Sequence, residues 1–227
     1  MGKIQRRFPN PKDLAELMVF KKPQLGRQAR LNQAYNIYEL REIAKRRTPT
    51  APFDYTDGSA DQEISLTRAR QAFEDIEWSP SILRNVANAD TSIEVLGKRS
   101  ALPFGIAPTG FTRMMGYEGE PAVARVAEKY GILYGLSTLG TTSPEDLAKE
   151  VPNVRRWYQL YVRREREPNE KFIERVKASG FETIVLTVDT VVGGVRYRDV
   201  KNGLTIPPKL TLKTLIGMAK YPKWWMN

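Results

Sequence analysis

Polar side chains capable of hydrogen bonding and acid–base chemistry follow each of four short apolar runs from residue 102 onward. They comprise hydroxyls, an amide, a phenol and a carboxylate, beside a Pro-Thr-Gly turn. Barrel enzymes place their functional groups at the carboxyl ends of successive strands, so this recurrence indicates a site. The residues are Pro108-Thr109-Gly110, Ser137-Thr138, Gln159, Tyr161, Thr187 and Asp189.

The composition restricts the chemistry that these groups can perform. The 227 residues include no histidine and no cysteine, which excludes an imidazole base, a Ser-His-Asp triad, a thiolate nucleophile and metal sites built from either residue. The chain must use carboxylates, lysine, arginine, tyrosine, hydroxyls, backbone groups or a bound cofactor. With 41% hydrophobic and 27% charged residues, it is typical of a globular protein of one or two domains.

The formal net charge of +10 is concentrated near the amino terminus. Residues 1–50 contain 12 Lys/Arg and 4 Asp/Glu, whereas the remaining residues contain 24 and 22. We interpret residues 1–32 as a basic arm, which suits an anionic partner such as a phosphate or a lipid headgroup, or simply solvent. The body has no zinc finger and no basic face interleaved with aromatic residues, so nucleic acid is not an expected partner.

Helices are predicted ahead of the regular part of the chain. Residues 36–47 have one apolar face, with Asn36 as a candidate N-cap. A second helix is predicted over 62–73, and a candidate short helix spans 11–20. Residues 76–100 have the composition of an irregular strand-and-turn region.

An alternation of strands and helices begins at residue 102 and repeats about every 24 to 30 residues, the length of one βα unit. This order indicates a parallel sheet with right-handed crossovers. Pro121 and Pro144 stand where helices begin, and Gly131 and Gly180 stand where helices end. The predicted strands are 102–107, 132–137, 155–162 and 183–189, and the predicted helices are 120–130, 144–150 and 169–179.

Two α/β architectures fit this alternation, a doubly wound sheet and a TIM (β/α)8 barrel. A doubly wound nucleotide domain opens with Gly-x-Gly-x-x-Gly after its first strand, but this chain has Pro108-Thr109-Gly110-Phe111-Thr112 there. Polar residues at successive strand ends favour the barrel. About four βα units are present, so we expect the N-terminal part of a barrel over residues 33–227, preceded by a helical segment. Such a half would expose two sheet edges.

Seven short motifs stand in order along the body of the chain. They are Phe53-Asp54-Tyr55-Thr56-Asp57-Gly58-Ser59-Ala60, Leu102-Pro103-Phe104-Gly105-Ile106-Ala107-Pro108-Thr109-Gly110, Tyr117-Glu118-Gly119-Glu120, Leu136-Ser137-Thr138-Leu139-Gly140-Thr141, Trp157-Tyr158-Gln159-Leu160-Tyr161, Leu186-Thr187-Val188-Asp189-Thr190 and Arg196-Tyr197-Arg198-Asp199-Val200-Lys201-Asn202-Gly203. Together they resemble the FMN-dependent α-hydroxy-acid dehydrogenase/oxidase family, and most closely its bacterial L-lactate dehydrogenases. Each motif alone is common, but seven in family order are specific.

The resemblance implies an FMN cofactor, which would carry the redox step while the protein supplies placement. The backbone of Pro108, Thr109 and Gly110 would lie near the reactive face of the flavin. The side chains that would bond the pyrimidine side of the ring are those of Ser137, Gln159 and Thr187. Taken singly, these residues have simpler interpretations, namely strand-end hydroxyls that bond local backbone and an exposed edge glutamine.

The resemblance also implies an (S)-2-hydroxy acid substrate, with L-lactate oxidised to pyruvate in the full-length protein. Arg196 would pair with the substrate carboxylate through its planar guanidinium, and Tyr55 would bond the same carboxylate. Tyr161 would contact the hydroxyl side of the substrate. A surface cation and core tyrosines are the alternative interpretations. The seven-residue spacing from Asp189 to Arg196 favours the functional one.

Asp189 matches the carboxylate that orients the catalytic histidine of the family. The resemblance places that histidine, a second arginine, a flavin-contacting lysine and the phosphate-binding loops beyond residue 227. We therefore expect a truncated chain that is inactive alone and binds FMN weakly or not at all. A split protein and a natural half-barrel with a different function are the alternatives.

The electron acceptor and the location are implied only in outline. Quinone and O₂ both remain open, because neither Gly110 nor Leu139, which replaces a tryptophan of glycolate oxidase-like members, distinguishes them. Residues 204–227 fall in a variable connection that contacts the membrane in quinone-linked members, and their tryptophans suit either an interface or internal packing.

Neither a bilayer-spanning apolar run nor a secretory signal is present, so a cytoplasmic protein is expected, peripheral on the inner face of the cell membrane in the quinone-linked case. Family members commonly form homo-oligomers. The alternative functions are a non-catalytic membrane- or partner-binding module that uses the basic arm, and a barrel enzyme of another chemistry.

Overall fold

Short helices alternate with short strands in the computed structural model, which describes residues 26–205 and 212–226. The strands are β1 Ile93–Val95, β2 Lys98–Ser100, β3 Tyr134–Ser137, β4 Arg156–Leu160 and β5 Thr183–Leu186. The helices are α1 Arg27–Leu31, α2 Ile37–Lys45, α3 Thr50–Asp57, α4 Ile64–Glu74, α5 Gly119–Tyr130, α6 Pro144–Glu150, α7 Arg166–Ala178, α8 Tyr197–Asn202, α9 Leu212–Ala219 and α10 Pro222–Trp225, with a 3₁₀ turn at Thr112–Met114.

The chain divides into two compact units, Met1–Arg46 and Arg47–Asn227. In the first unit, the side-chain oxygen of Asn36 accepts the N–H of Glu39 at 2.9 Å, which caps α2. The helix predicted over 36–47 and its cap are thereby confirmed. Most of the basic arm, including the candidate helix over 11–20, lies outside the described residues.

The second unit is built on a parallel sheet in the order β3–β4–β5. Ser137 pairs with Gln159, and Gln159 pairs with Val185. Helix α5 leads into β3, α6 joins β3 to β4, and α7 joins β4 to β5. The predicted βα order and parallel pairing are confirmed for these three strands. Because the strands are parallel, their carboxyl ends meet at one edge of the sheet.

The segment predicted as a first strand over 102–107 forms only one bridge, in which Ile106 pairs with Tyr134 in parallel. Pro103 has no N–H for a ladder, and a Cβ at Gly105 would overlap the side chain of Leu133. The chain therefore runs beside β3 without becoming a regular strand. Among the described residues no strand pairs with the outer edge of β5, so the sheet is open there and barrel closure is not seen.

The hydrophobic core lies between this sheet and its helices. The ring of Tyr158, 2% exposed, meets those of Phe172 in α7 and Phe181 edge-on at 5.3 and 5.7 Å. Leu136 and Leu147 are fully buried beside it. Helix ends follow the predicted signals, because Ser143 caps α6 with Pro144 at its first position and Gly131 ends α5 at φ +61°.

Helix α7 begins three residues before its predicted start at Asn169. The side-chain amide of Asn169 donates to the carbonyls of Arg163 and Glu165 at 2.8 and 2.6 Å, and it accepts from the N–H of Arg163 at 2.9 Å. Asn169 thus lies inside α7, where its side chain binds the backbone of the loop before the helix. The residues from 76 to 100 are irregular except for the β1–β2 hairpin, as predicted.

An ion-pair cluster joins the hairpin to the amino-terminal end of the sheet. The carboxylate of Glu182, just before β5, accepts from Lys98 and from Arg155, and from the indole N–H of Trp157 at 3.0 Å. Burial desolvates this carboxylate, which raises its pKa, but the three donors outweigh that and hold the pKa below its ordinary value of 4.5.

None of the helices within residues 26–205 and 212–226 combines the length and the apolar character of a membrane-spanning segment.

We expect Glu182→Gln to lower the free energy of unfolding by about 1 to 2 kcal/mol at pH 7, because Lys98 and Arg155 lose their carboxylate. A carboxyl whose folded pKa is depressed stabilises the fold above its unfolded pKa and loses that contribution as the pH falls. The difference between variant and wild type should therefore shrink below about pH 4.5.

Urea unfolding at pH 7 and pH 3.5 measures both effects. Glu94→Gln on β1 serves as the control, because Glu94 is an exposed carboxylate of the same hairpin. An equal loss of stability at both pH values would contradict the assignment.

Candidate active site

Side chains at the carboxyl ends of three strands form one hydrogen-bonded chain. The hydroxyl of Ser137 donates to Oε1 of Gln159 at 3.2 Å, and Nε2 of Gln159 donates to the hydroxyl of Thr187 at 2.7 Å. Ser137 and Gln159 are 7% and 5% exposed. Three of the residues singled out from the sequence are thereby brought together, and Gln159 is a buried central residue instead of an exposed edge residue.

The Pro108-Thr109-Gly110 turn lies against the turn that follows β3. The N–H of Phe111 donates to the carbonyl of Leu139 at 2.9 Å, and a Cβ at Gly110 would stand 2.9 Å from Cβ of Leu139. Only glycine permits this approach without displacing the neighbouring turn. Phe111 itself adopts a left-handed backbone conformation, φ +53°. The turn is therefore held against the neighbouring turn by close backbone contacts.

Tyr55 and Arg196 meet although 141 positions separate them. Tyr55 lies in α3, a helix that the sequence patterns did not reveal, and its ring packs edge-on against Phe111 at 5.9 Å. The guanidinium of Arg196 lies over the same ring, 4.9 Å from its centre. Burial raises the pKa of the Tyr55 phenol; Arg196 opposes the rise, and Asp199 and Tyr161 add to it.

Two of the three guanidinium nitrogens of Arg196 form hydrogen bonds within the chain. Its Nε donates to Asp199 at 2.6 Å, and Nη2 donates to the carbonyls of Tyr55 and Gly58 at the end of α3. Among the described residues Nη1 has no acceptor within hydrogen-bonding distance. One nitrogen of the planar fork is thus left for a ligand, so a carboxylate would meet Arg196 through Nη1 and not through the full two-nitrogen edge.

A second arginine clamps the helices that carry these two residues. Arg198 in α8 donates to Asp57 at 3.0 Å and to Glu63, while Asn202 of the same helix donates to Asp54 at 2.7 Å. Helix α8 was not predicted from the sequence either. Its contacts with α3 fix the position of Arg196 relative to Tyr55.

Asp189 and Tyr161 are placed less tightly. Asp189 is exposed in the irregular segment after β5, and the one hydrogen bond that its carboxylate receives from the described residues is a long one, 3.5 Å, from the hydroxyl of Thr190. The side chain of Tyr161, 36% exposed, follows β4 directly. The structure therefore shows both residues beside the strand ends without a fixed partner for either functional group among the described residues.

Glu120 is a buried acid that the sequence patterns did not single out, although it closes the Tyr117-Glu118-Gly119-Glu120 motif. Its fully buried carboxylate accepts the N–H and hydroxyl of Thr141 at 2.6 and 2.7 Å and the hydroxyl of Thr142 at 2.8 Å. Burial raises its pKa, but these hydrogen bonds more than offset that and leave the pKa below its ordinary value. Glu120 anchors the turn that contacts Gly110.

The sequence and the structure of this chain are similar to those of known proteins. The family model described as FMN-dependent dehydrogenase matches residues 44–227. A protein named "Putative L-lactate dehydrogenase" from Mycobacterium tuberculosis is 51% identical over 225 residues, which are 99% of this chain and 54% of that protein. Glycolate oxidase 1 of Zea mays is 37% identical over 188 residues, which are 83% of this chain and 51% of that protein.

Among solved structures, monotopic membrane protein (S)-mandelate dehydrogenase matches with a TM-score of 0.80 and 34% identity. The match covers 86% of this chain and 52% of that chain. The chain thus spans about half the length of the relatives that it matches.

We expect Glu120→Gln to lower the free energy of unfolding by about 2 to 3 kcal/mol, because a glutamine offers one acceptor oxygen and places an NH₂ group against buried donors. Thermal and urea unfolding at pH 7 measure the change. Glu174→Gln, an exposed position in α7, should be neutral. A Glu120→Gln chain as stable as wild type would show that the three hydrogen bonds do not hold the turn.

Proposed function

The chain belongs to the FMN-dependent dehydrogenase family, and from that premise we propose that it is part of an enzyme that oxidises an (S)-2-hydroxy acid, with L-lactate as substrate and pyruvate as product. The observation that carries the proposal is the 51% identity over 99% of this chain to the mycobacterial protein named "Putative L-lactate dehydrogenase". We further propose that β3–β5 and the Ile106 segment are the first half of a (β/α)8 barrel.

The donor set at the strand ends fits a flavin. Gln159 donates one of its two amide hydrogens to the hydroxyl oxygen of Thr187. The second amide hydrogen of Gln159 and the hydroxyl hydrogen of Thr187 therefore remain for a ligand. The pyrimidine edge of a flavin presents carbonyl oxygens that such donors match. When bound, FMN supplies the acceptor for the two electrons of the substrate C–H bond. Ser137, Gln159, Thr187 and the backbone of 108–110 would hold it.

Substrate recognition is proposed to rest on three side chains. The free Nη1 of Arg196 would donate to the carboxylate of the hydroxy acid. The Tyr55 phenol, whose pKa burial raises above its ordinary value, would donate to the same carboxylate. Tyr161 would contact the hydroxyl group of the substrate.

The base proposed to take the proton of the substrate hydroxyl is the histidine that the family resemblance implies, and the sequence of this chain has no histidine. Asp189 is proposed to orient an imidazole supplied by the remainder of the barrel, which explains why its carboxylate makes no strong contact of its own. The chain alone is then inactive. Quinone or O₂ would reoxidise the flavin, and the whole enzyme is proposed to form a homo-oligomer.

We expect no lactate-dependent dye reduction by the purified chain, and recovery of activity when it is co-expressed with the part of the mycobacterial relative that it does not match. Flavin absorbance and dye reduction measure the two states. Turnover by the chain alone would contradict the proposal that the catalytic base comes from the remainder of the barrel. A co-purified pair that retains FMN but oxidises no 2-hydroxy acid would overturn the proposed reaction.

In the active pair, Tyr55→Phe should raise KM for lactate about tenfold, because one charged hydrogen bond to the carboxylate is lost while the ring contacts remain. Tyr38→Phe removes a hydroxyl from an exposed ring in α2 and should leave KM unchanged.

We also propose that the enzyme lies on the inner face of the cell membrane through α9 and α10. The solved (S)-mandelate dehydrogenase that resembles this chain is titled a monotopic membrane protein. Leu215, Ile216 and Met226 are 49%, 60% and 65% exposed, which is the apolar surface that such a contact needs. The indole N–H of Trp224 instead donates to the carbonyl of Met114 at 2.9 Å, so this tryptophan serves internal packing.

Replacing both Leu215 and Ile216 by serine should reduce the fraction of the chain that sediments with anionic liposomes at least about threefold, since apolar burial drives the contact. Val126→Ser removes a comparably exposed apolar side chain from α5 and should not change binding. Deleting residues 1–32 tests the basic arm in the same assay. Sedimentation that depends on the arm and not on Leu215 and Ile216 would contradict the proposal.

A further inference from the structure

The hydrogen-bond ladder between β3 and β4 changes its pattern at Thr138. Earlier in the ladder, the N–H of Tyr134 donates to the carbonyl of Arg155 at 2.9 Å, and Ser137 pairs with Gln159. Parallel ladders repeat every two residues. Continued in this way, the ladder would join the N–H of Thr138 to the carbonyl of Gln159 and the N–H of Tyr161 to the carbonyl of Thr138.

The side-chain hydroxyl of Thr138 takes over both positions. Its Oγ1 donates to the carbonyl of Gln159 at 2.6 Å and accepts the N–H of Tyr161 at 3.1 Å. A hydroxyl can donate and accept at once, so it satisfies one backbone group of each kind. The strands can therefore separate here without leaving these two backbone groups unpaired.

Because the hydroxyl of Thr138 bonds the carbonyl of Gln159, the backbone N–H of Thr138 is not needed in the ladder. This N–H donates to Oε1 of Gln159 at 3.1 Å. A backbone N–H can only donate, so it selects the oxygen of the amide and excludes the nitrogen. The hydroxyl of Ser137 occupies the same oxygen. Nε2 of Gln159 is consequently left for Thr187 and for a ligand.

We propose that Thr138 is a positioning residue for the reaction, because it fixes the amide orientation of Gln159 and the backbone of Tyr161 at the same time. The inference rests on the proposed function only for the ligands of Gln159 and Tyr161, a flavin and a hydroxy acid. The hydrogen bonds of Thr138 with Gln159 and Tyr161, which we call the relay, lie within this chain. Loss of the Thr138 hydroxyl disturbs the flavin contact and the substrate contact together.

Thr138→Val tests the relay, because it removes the hydroxyl and keeps the branched shape, whereas Thr138→Ser restores the hydroxyl. In the valine variant, either the N–H of Tyr161 loses its acceptor, or the ladder closes and takes the N–H of residue 138 away from Gln159. NMR of the chain labelled with ¹⁵N-tyrosine and ¹⁵N-glutamine detects both results.

We expect Tyr161 N–H exchange about fivefold faster, or a displaced pair of Gln159 side-chain resonances, with wild-type values in the serine variant. Thr67→Val is the matched control, because that hydroxyl bonds only the carbonyl of Glu63 at 3.1 Å in α4. Unchanged Tyr161 and Gln159 signals in Thr138→Val would overturn the proposal. The same changes in Thr67→Val would overturn it as well, because they would reflect general loosening.

Titration with millimolar FMN separates this inference from the proposed function. Addition of FMN to the wild-type chain should shift the Gln159 side-chain resonances, and the shift should be smaller in Thr138→Val. Because the chain alone is expected to bind FMN weakly, the same Gln159 resonances are also compared in the FMN-loaded co-expressed pair. Gln159 resonances that FMN leaves unchanged in both samples would contradict the proposed flavin contact. The exchange and resonance data without FMN would still decide the role of Thr138.

Discussion

Parallel pairing places Ser137 opposite Gln159 and Gln159 opposite Val185, two residues before Thr187. Strand direction and register therefore put a hydroxyl, an amide and a second hydroxyl at one edge of the sheet. A shift of one residue would turn each of these side chains to the other face. The core supports the same register, because Tyr158 and Leu136, adjacent to these residues, are buried under the helices.

The second constraint is the joining of distant segments by arginine. Arg196 holds the end of α3 through backbone carbonyls, while Arg198 pairs with carboxylates of the same region. These contacts bring Tyr55 beside Arg196, and they use most of the hydrogen-bonding capacity of the Arg196 guanidinium. Arg196 thus stabilises the contact between α3 and the start of α8, and one nitrogen of its guanidinium, Nη1, has no acceptor among the described residues.

Two buried or half-buried side chains shape the turn after β3. Glu120 receives three hydrogen bonds from Thr141 and Thr142, and Thr138 spans the point where β3 and β4 part. Between them lies Leu139, whose backbone meets Phe111 and leaves room only for glycine at position 110. The turn after β3 is therefore held largely by hydrogen bonds between side chains and backbone, and these bonds also orient the amide of Gln159.

Local patterns were sufficient for the family and for the regular elements of the βα repeat from α5 to β5. Apolar runs and the Pro and Gly signals predicted α5, α6 and the three paired strands, because periodicity and capping act over a few residues. The motif order predicted the family, since residue types alone carry the match. The helix around Tyr55 and helix α8 went unpredicted, because contacts across 141 positions stabilise them and no local pattern records those contacts. The regular strand predicted over 102–107 does not form. Pro103 has no N–H for the ladder, and Gly105 packs closely against the side chain of Leu133. The engaged nitrogens of Arg196, the burial of Glu120 and the relay through Thr138 likewise depend on the folded arrangement, because a hydrogen bond is a relation between two positions in space.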